Sequence, residues 1–126
     1  MVSVVQQALA ILAAGRAPPM ARGMYRNRKL LDLARELPCQ NCGADDGTIS
    51  PAHSNFSEHG KGKGLKAHDV FWAALCNACH RWLDNQAGWG QDPSGAFLPS
   101  DKRAMFLQAM GRTWLELWRR GFVRVT

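Results

Sequence analysis

Residues 39–53 read CQNCGADDGTISPAH, and residues 76–84 read CNACHRWLD. Together they hold every cysteine of the chain as two Cys-x-x-Cys pairs, Cys39 with Cys42 and Cys76 with Cys79. Thiolates at this spacing fold back on one ion, and two such pairs supply the four ligands of a structural zinc site. A redox dithiol needs a βαβ setting that the flanking residues do not provide, and disulfides are rare where thiols stay reduced. The expected cofactor is one structural Zn²⁺, which contributes about 10 kcal/mol or more to the folding of a small domain.

Thirty-three residues, 43 to 75, lie between the pairs, whereas a plain two-pair zinc module uses about 15 to 20. The surplus carries elements of its own. Asp45-Asp46-Gly47 signals a turn, residues 48–53 predict a first strand ending at His53, and residues 70–75 predict a second. Between them, Gly60, Gly62 and Gly64 alternate with Lys61 and Lys63, so residues 56–66 predict a mobile basic loop. A short helix is expected over 77–85, starting inside the second cysteine pair. His80 and Asp84 stand four residues apart on it, on one face, where they can bind one metal together.

Further out, Asn27 is placed to cap a helix over 28–37, whose stripe is Leu30, Leu31, Leu33, Ala34 and Leu37 and whose stop is Pro38. Residues 89–99 read as a loop. Ser100 is expected to cap a last helix over 101–120, with Phe106, Ala109, Met110, Thr113, Trp114 and Leu117 as core and Gly121 as its end. Residues 2–14 predict another helix, with Val5, Leu9 and Leu12 on one face. The organisation is thus a helical arm and basic connector at 1–25, then a zinc-stabilised domain at 26–126 that includes the last helix. The fold class is α+β.

The chain has 126 residues, enough for one core. Its 16 lysines and arginines against 10 acidic residues leave a net charge of +6, a field that favours nucleic acid. Lys61, Lys63 and Lys66 are expected to neutralise nucleic-acid phosphates without reading sequence. Arg26 and Arg28, with Arg22 and Lys29, form a second basic cluster. Trp72 and Trp82 flank the second cysteine pair, and core packing is favoured over base stacking for both. The apolar N-terminus lacks the leading positive charge of a secretory signal and is shorter than the roughly 20 residues of a membrane span. A cytoplasmic protein without a membrane partner is expected.

Pro51-Ala52-His53, the glycine- and lysine-rich run that ends at Asp69, and Cys76-x-x-Cys79-His80-x-x-x-Asp84 resemble the HNH (ββα-metal) endonucleases. More narrowly they are similar to the small prophage nucleases of the YbcO type. The resemblance spans residues 26–84 and, more weakly, the last helix. It implies a ββα-metal core with zinc at its base and helices on either side. His53 then looks like the general base that activates water, and Asp69 takes approximately the place of the HNH asparagine. His80, with Asp84, looks like the ligand of a catalytic Mg²⁺ or Mn²⁺. Just before His53, where many HNH enzymes carry a further ligand, stands Ala52. The activity implied is metal-dependent hydrolysis of DNA during phage or prophage recombination or processing in a bacterial host, with a recombination protein as a further partner. The other reading is a non-enzymatic zinc module that binds nucleic acid or protein. His53 and His80 separate the two, because a binding module needs only cysteines and basic residues.

Overall fold

Asn27 opens the first described helix. Its backbone is extended and its Oδ1 accepts the Leu30 N–H at 3.0 Å, which satisfies one of the donors that a helix start leaves free. The computed structural model describes residues 23–85 and 90–125; the helix expected at 2–14 lies outside them, as does most of the arm at 1–25. Helix α1 spans Arg28–Asp32 and then tightens into a 3₁₀ turn at Leu33–Glu36. The single helix expected over 28–37 is therefore two short pieces. Leu37 is extended (φ −115°, ψ 148°), as a residue before proline must be, and Pro38 aims the chain at the first cysteine pair.

Strands β1, Ser50–His53, and β2, Trp72–Leu75, form an antiparallel pair with Ser50 opposite Leu75 and His53 opposite Trp72. Pro51 has no N–H to give, yet it costs the ladder nothing. Its opposite number Ala74 turns both polar groups away from β1: the N–H goes to Thr113 Oγ1 at 3.0 Å, and the C=O accepts the Gln40 N–H at 2.8 Å. All four β2 residues are fully buried. Helix α2, Asn77–Asp84, follows directly. The loop between the strands is more structured than its glycines suggest, with a 3₁₀ turn at Ser57–His59 and a bridge from Gly62 to Leu65. Gly60 is required where it stands: its φ is 93°, and a Cβ there would lie 2.6 Å from the His68 ring.

Helix α3, Lys102–Arg119, packs along β2. It buries Phe106, Ala109, Thr113 and Leu117 as its periodicity predicts, with Met105 in addition, while Met110 and Trp114 are partly buried. Two bonds lock it to the sheet side, Thr113 to Ala74 and the Trp114 indole N–H to the Val70 carbonyl at 2.9 Å. Its start differs from the expectation. A 3₁₀ turn at Pro99–Asp101 absorbs Ser100, and the Asp101 N–H closes on Leu98 O at 2.8 Å, so no side chain caps the helix. Among the described residues the fold is α+β, with three α-helices around a two-stranded sheet. No helix among them is long and apolar enough to cross a membrane.

Candidate metal centre and candidate active-site cleft

Each cysteine pair lies at one end of an element. Cys39 and Cys42 flank a turn closed by the Gly43 N–H on Cys39 O at 2.9 Å, with Gly43 at φ 82°. Cys76 leaves β2 and Cys79 lies in the first turn of α2. All four are free thiols, and their sulfurs lie within 4.8 Å of one another, Cys42 and Cys76 at 3.6 Å. Tetrahedral zinc with bonds of about 2.3 Å sets its sulfurs about 3.8 Å apart, so the four residues fit that ion. So close together, the thiols perturb one another. Cys39 is pushed down to about 4, first by its hydrogen bond with Cys79, which outweighs burial. The same contact, with burial, pushes Cys79 up, and burial pushes Cys42 up. Four thiolates in this space repel unless a cation neutralises them, which is the condition a divalent ion meets.

The sulfurs also receive N–H groups. Cys39 Sγ accepts from the backbone of Asn41 at 3.4 Å and of Cys42 at 3.5 Å, and Cys79 Sγ from Asn41 Nδ2 at 3.3 Å. Asn41 Nδ2 also donates to Asp92 Oδ1 at 2.7 Å. Asp92 is 1% exposed and accepts as well from the Ser94 hydroxyl and the Ser94 and Phe97 N–H groups. Burial pushes its carboxyl up, but these bonds outweigh that and hold it below the usual value. A buried carboxylate thus fixes the amide that faces a sulfur, the kind of outer support that orients metal ligands. Neither residue stands out in the sequence. Asp92-Pro93-Ser94-Gly95 is legible as a turn, with Asp at its first position and Pro at its second, but nothing local says that its carboxylate is buried.

His53 ends β1, and its Nε2 lies 2.8 Å from Asp69 Oδ1. Asp69 is 4% exposed; its Oδ2 takes the Asn27 N–H at 2.7 Å, and Arg26 approaches Oδ1 at 3.5 Å. Burial pushes the Asp69 carboxyl up, but the His53 and Asn27 hydrogen bonds and the His53 and Arg26 charges bring it below the usual value. An ionised carboxylate only accepts, so in this contact Nε2 is the donor, and in a neutral ring Nδ1 is then the acceptor. On α2, His80 Nε2 is 3.3 Å from Asp84 Oδ2. His53, Asn55, Lys61, Lys66, His80 and Asp84 line one cleft of about 270 Å³.

The structure thus brings His53, His80, Asp84, Lys61 and Lys66 to one cleft, with Asp69 buried behind His53. Lys63 does not line it. Arg26 is engaged within the protein, donating to Ala67 O at 2.7 Å and Lys66 O at 3.1 Å, so it staples the loop beside Asp69. Arg28 pairs with Asp32 at 3.3 Å on the exposed face of α1. His59 and His68 pack: His59 stacks on Phe71 at 4.2 Å and bonds Ser54 Oγ, and His68 Nδ1 accepts the Tyr25 N–H. Trp72 is core at 0% exposure, and Trp82 is buried with its indole N–H on Gly90 O.

The fold and site define a small α+β protein with a four-cysteine centre able to hold zinc beside a histidine- and lysine-lined cleft. Over residues 16–95 the chain matches the family described as protein of unknown function (DUF968), and it belongs to that family. No curated protein and no solved structure matches it. The matched region takes in both cysteine pairs, the cleft residues, Asn41 and Asp92, and ends before α3.

Proposed function

We propose that this chain is a metal-dependent endonuclease of the HNH type that hydrolyses DNA phosphodiester bonds. The observation that carries the proposal is the convergence of two histidine–carboxylate pairs, His53–Asp69 and His80–Asp84, at one cleft walled by Lys61 and Lys66. A strand-borne histidine faced by a helix-borne one, beside a four-cysteine centre, is the arrangement that the HNH resemblance calls for.

The chemistry follows from the pairs. Asp69 holds the Nε2–H of His53, and the free Nδ1 takes a proton from water as the water oxygen bonds to phosphorus and the leaving oxygen separates. Lys61 and Lys66 attract and neutralise the phosphodiester strand. His80 and Asp84 offer an imidazole and a carboxylate and would hold the divalent ion, Mg²⁺ or Mn²⁺, that the proposed reaction requires. Bound there, such an ion supplies a Lewis acid for the charge on the leaving oxygen. Cys39, Cys42, Cys76 and Cys79 would hold zinc, which would tie the start of α2, and with it His80, to the turn after Pro38. The setting proposed is phage or prophage DNA processing in a bacterial cytoplasm, alongside a recombination protein.

The test is incubation of the zinc-loaded protein with supercoiled and linear plasmid in Mg²⁺, Mn²⁺ or EDTA. Conversion to nicked or linear product with either metal and not with EDTA is expected. Retention of DNA on the protein without any cutting would favour the zinc binding module instead.

A further inference from the structure

Beside the cleft, and sharing Asn55 with it, lies a second hollow of about 140 Å³ walled by Phe56, Leu83, Phe106, Lys102 and Arg103. Its floor is apolar and its rim cationic, but neither cation is free. Lys102 Nζ donates to the Asn85 carbonyl and sits 5.2 Å from the centre of the Trp82 ring. Arg103 is ion-paired with Glu58, in the 3₁₀ turn of the strand-connecting loop. Its guanidinium also lies over the Phe56 ring, 4.2 Å from the centroid. Phe56 is itself wedged against Phe106, edge to face at 5.6 Å, and against His59 at 5.4 Å.

The guanidinium is therefore held at once by a carboxylate at one nitrogen and by a ring under its central carbon. Its side chain is still 58% exposed, so a ligand can reach it from solvent. A cation already neutralised within the protein adds little to the counterion release that drives phosphate binding. A planar guanidinium held in place is, by contrast, a surface on which an unstacked nucleobase lies. A base inside a duplex has both faces covered by its neighbours and cannot use it.

We propose that the Arg103–Phe56 stack is a platform for one unpaired nucleobase, next to the phosphate held between His53 and His80, and that it directs the protein to strands with an unpaired nucleotide at that position. This rests on the nucleic-acid reading of the adjoining cleft. It assigns Arg103 to base stacking, and the phosphate contacts to Lys61 and Lys66 on the other side.

The test uses zinc-loaded His53→Ala protein, so that bound strands stay intact, and fluorescence anisotropy with two labelled probes: an oligothymidylate and an abasic oligomer of the same length. The two carry the same phosphates and differ in their bases. The parent is expected to prefer the thymidylate by about 5- to 150-fold, the range for one stacked base. Adding Arg103→Ala should abolish that preference while leaving the salt slope unchanged, because the same phosphates stay neutralised. Adding Arg103→Lys should fail to restore it, because an ammonium keeps the charge and the Glu58 pairing but not the plane. A lysine variant that binds like the parent, or a shallower salt slope with the alanine variant, would make Arg103 a phosphate ligand and overturn the platform. Equal binding of the two probes by the parent would overturn it too, yet leave the cleft as a DNA site; binding of neither probe would remove both.

Discussion

Asp69→Asn perturbs the proposed general-base half of the site without touching a proposed metal ligand. The new amide keeps the volume and one carbonyl oxygen, which can go on accepting the Asn27 N–H at 2.7 Å. It also sets an N–H₂ where Oδ1 now faces His53 Nε2 at 2.8 Å and Arg26 at 3.5 Å. Exchanging a hydrogen bond to a buried charged acceptor, worth about 1.5–3 kcal/mol, for a neutral one worth about 0.5–1.5 kcal/mol costs about 1–2 kcal/mol. The Arg26 ion pair adds less, since that side chain is 42% exposed and screened by solvent. A net loss of about 2 kcal/mol lowers the melting temperature of a domain this size by about 5–15 °C. The effect on rate is larger. A donor opposite Nε2 favours the tautomer with its proton on Nδ1, which removes the acceptor for water, so nicking should fall by about 10²- to 10⁴-fold. The pH dependence has a defined sign: a carboxylate held below its ordinary 3.8 in the folded state stabilises the fold fully above that value and ceases to as pH falls through the lowered one. The stability gap between wild type and Asp69→Asn should thus be constant near neutrality and close below about pH 3.8. Urea denaturation of both proteins, compared at matched pH, measures the gap, and plasmid nicking measures the rate. A folded Asp69→Asn protein that nicks like wild type, or a gap that persists in acid, would exclude this role for the Asp69 carboxylate.

Three further outcomes are expected. Cys76→Ser should lose zinc and cooperative folding together, measured by elemental analysis and circular dichroism; a folded wild-type protein without zinc would contradict the metal centre. Replacing Lys61, Lys63 and Lys66 with alanine should weaken DNA binding and make the log K against log salt line shallower by about 0.9 for each phosphate no longer neutralised, and an unchanged slope would take the loop off the DNA path. Thr113→Val keeps the shape of the core but strands the Ala74 N–H in a site of 0% exposure, so it should cost about 1–3 kcal/mol of stability in thermal denaturation with zinc content unchanged; an unshifted midpoint would show that the bond contributes nothing.

The four-cysteine centre was legible because ligand chemistry imposes its spacing, and the hairpin and α2 because turn residues and apolar runs mark them. The strand ends were not. Thr48 is diverted into a turn, bonding Asp46 Oδ1 through both its N–H and its hydroxyl and accepting the Asn77 N–H at 2.9 Å, so β1 begins at Ser50. At the other strand, the Phe71 N–H closes on His68 O and the Val70 carbonyl is taken by Trp114, so β2 begins at Trp72. The apolar face of α3 was readable from its period, but the 3₁₀ turn that replaces a Ser100 cap was not, since Pro99 and Ser100 suit either start. In the candidate site, the sequence supplied His53, His80 and Asp84 and the residues beside them. The partners that fix them come from far along the chain: Arg26 at Ala67, Asn27 at Asp69, Asn41 at Asp92 and Arg103 at Glu58. Such pairings depend on how the elements pack, and no local pattern carries them.

In the proposed mechanism His53 accepts the proton and His80 holds the ion. Plasmid nicking by wild type, His53→Ala and His80→Ala across a Mg²⁺ and Mn²⁺ titration tests it most directly, with zinc content and DNA binding checked for each protein. Wild type should cut with metal and stop with EDTA. His80→Ala should recover part of its activity at excess metal, whereas His53→Ala should bind DNA, keep its zinc and stay inactive at every concentration. Near wild-type cutting by His53→Ala would contradict the account.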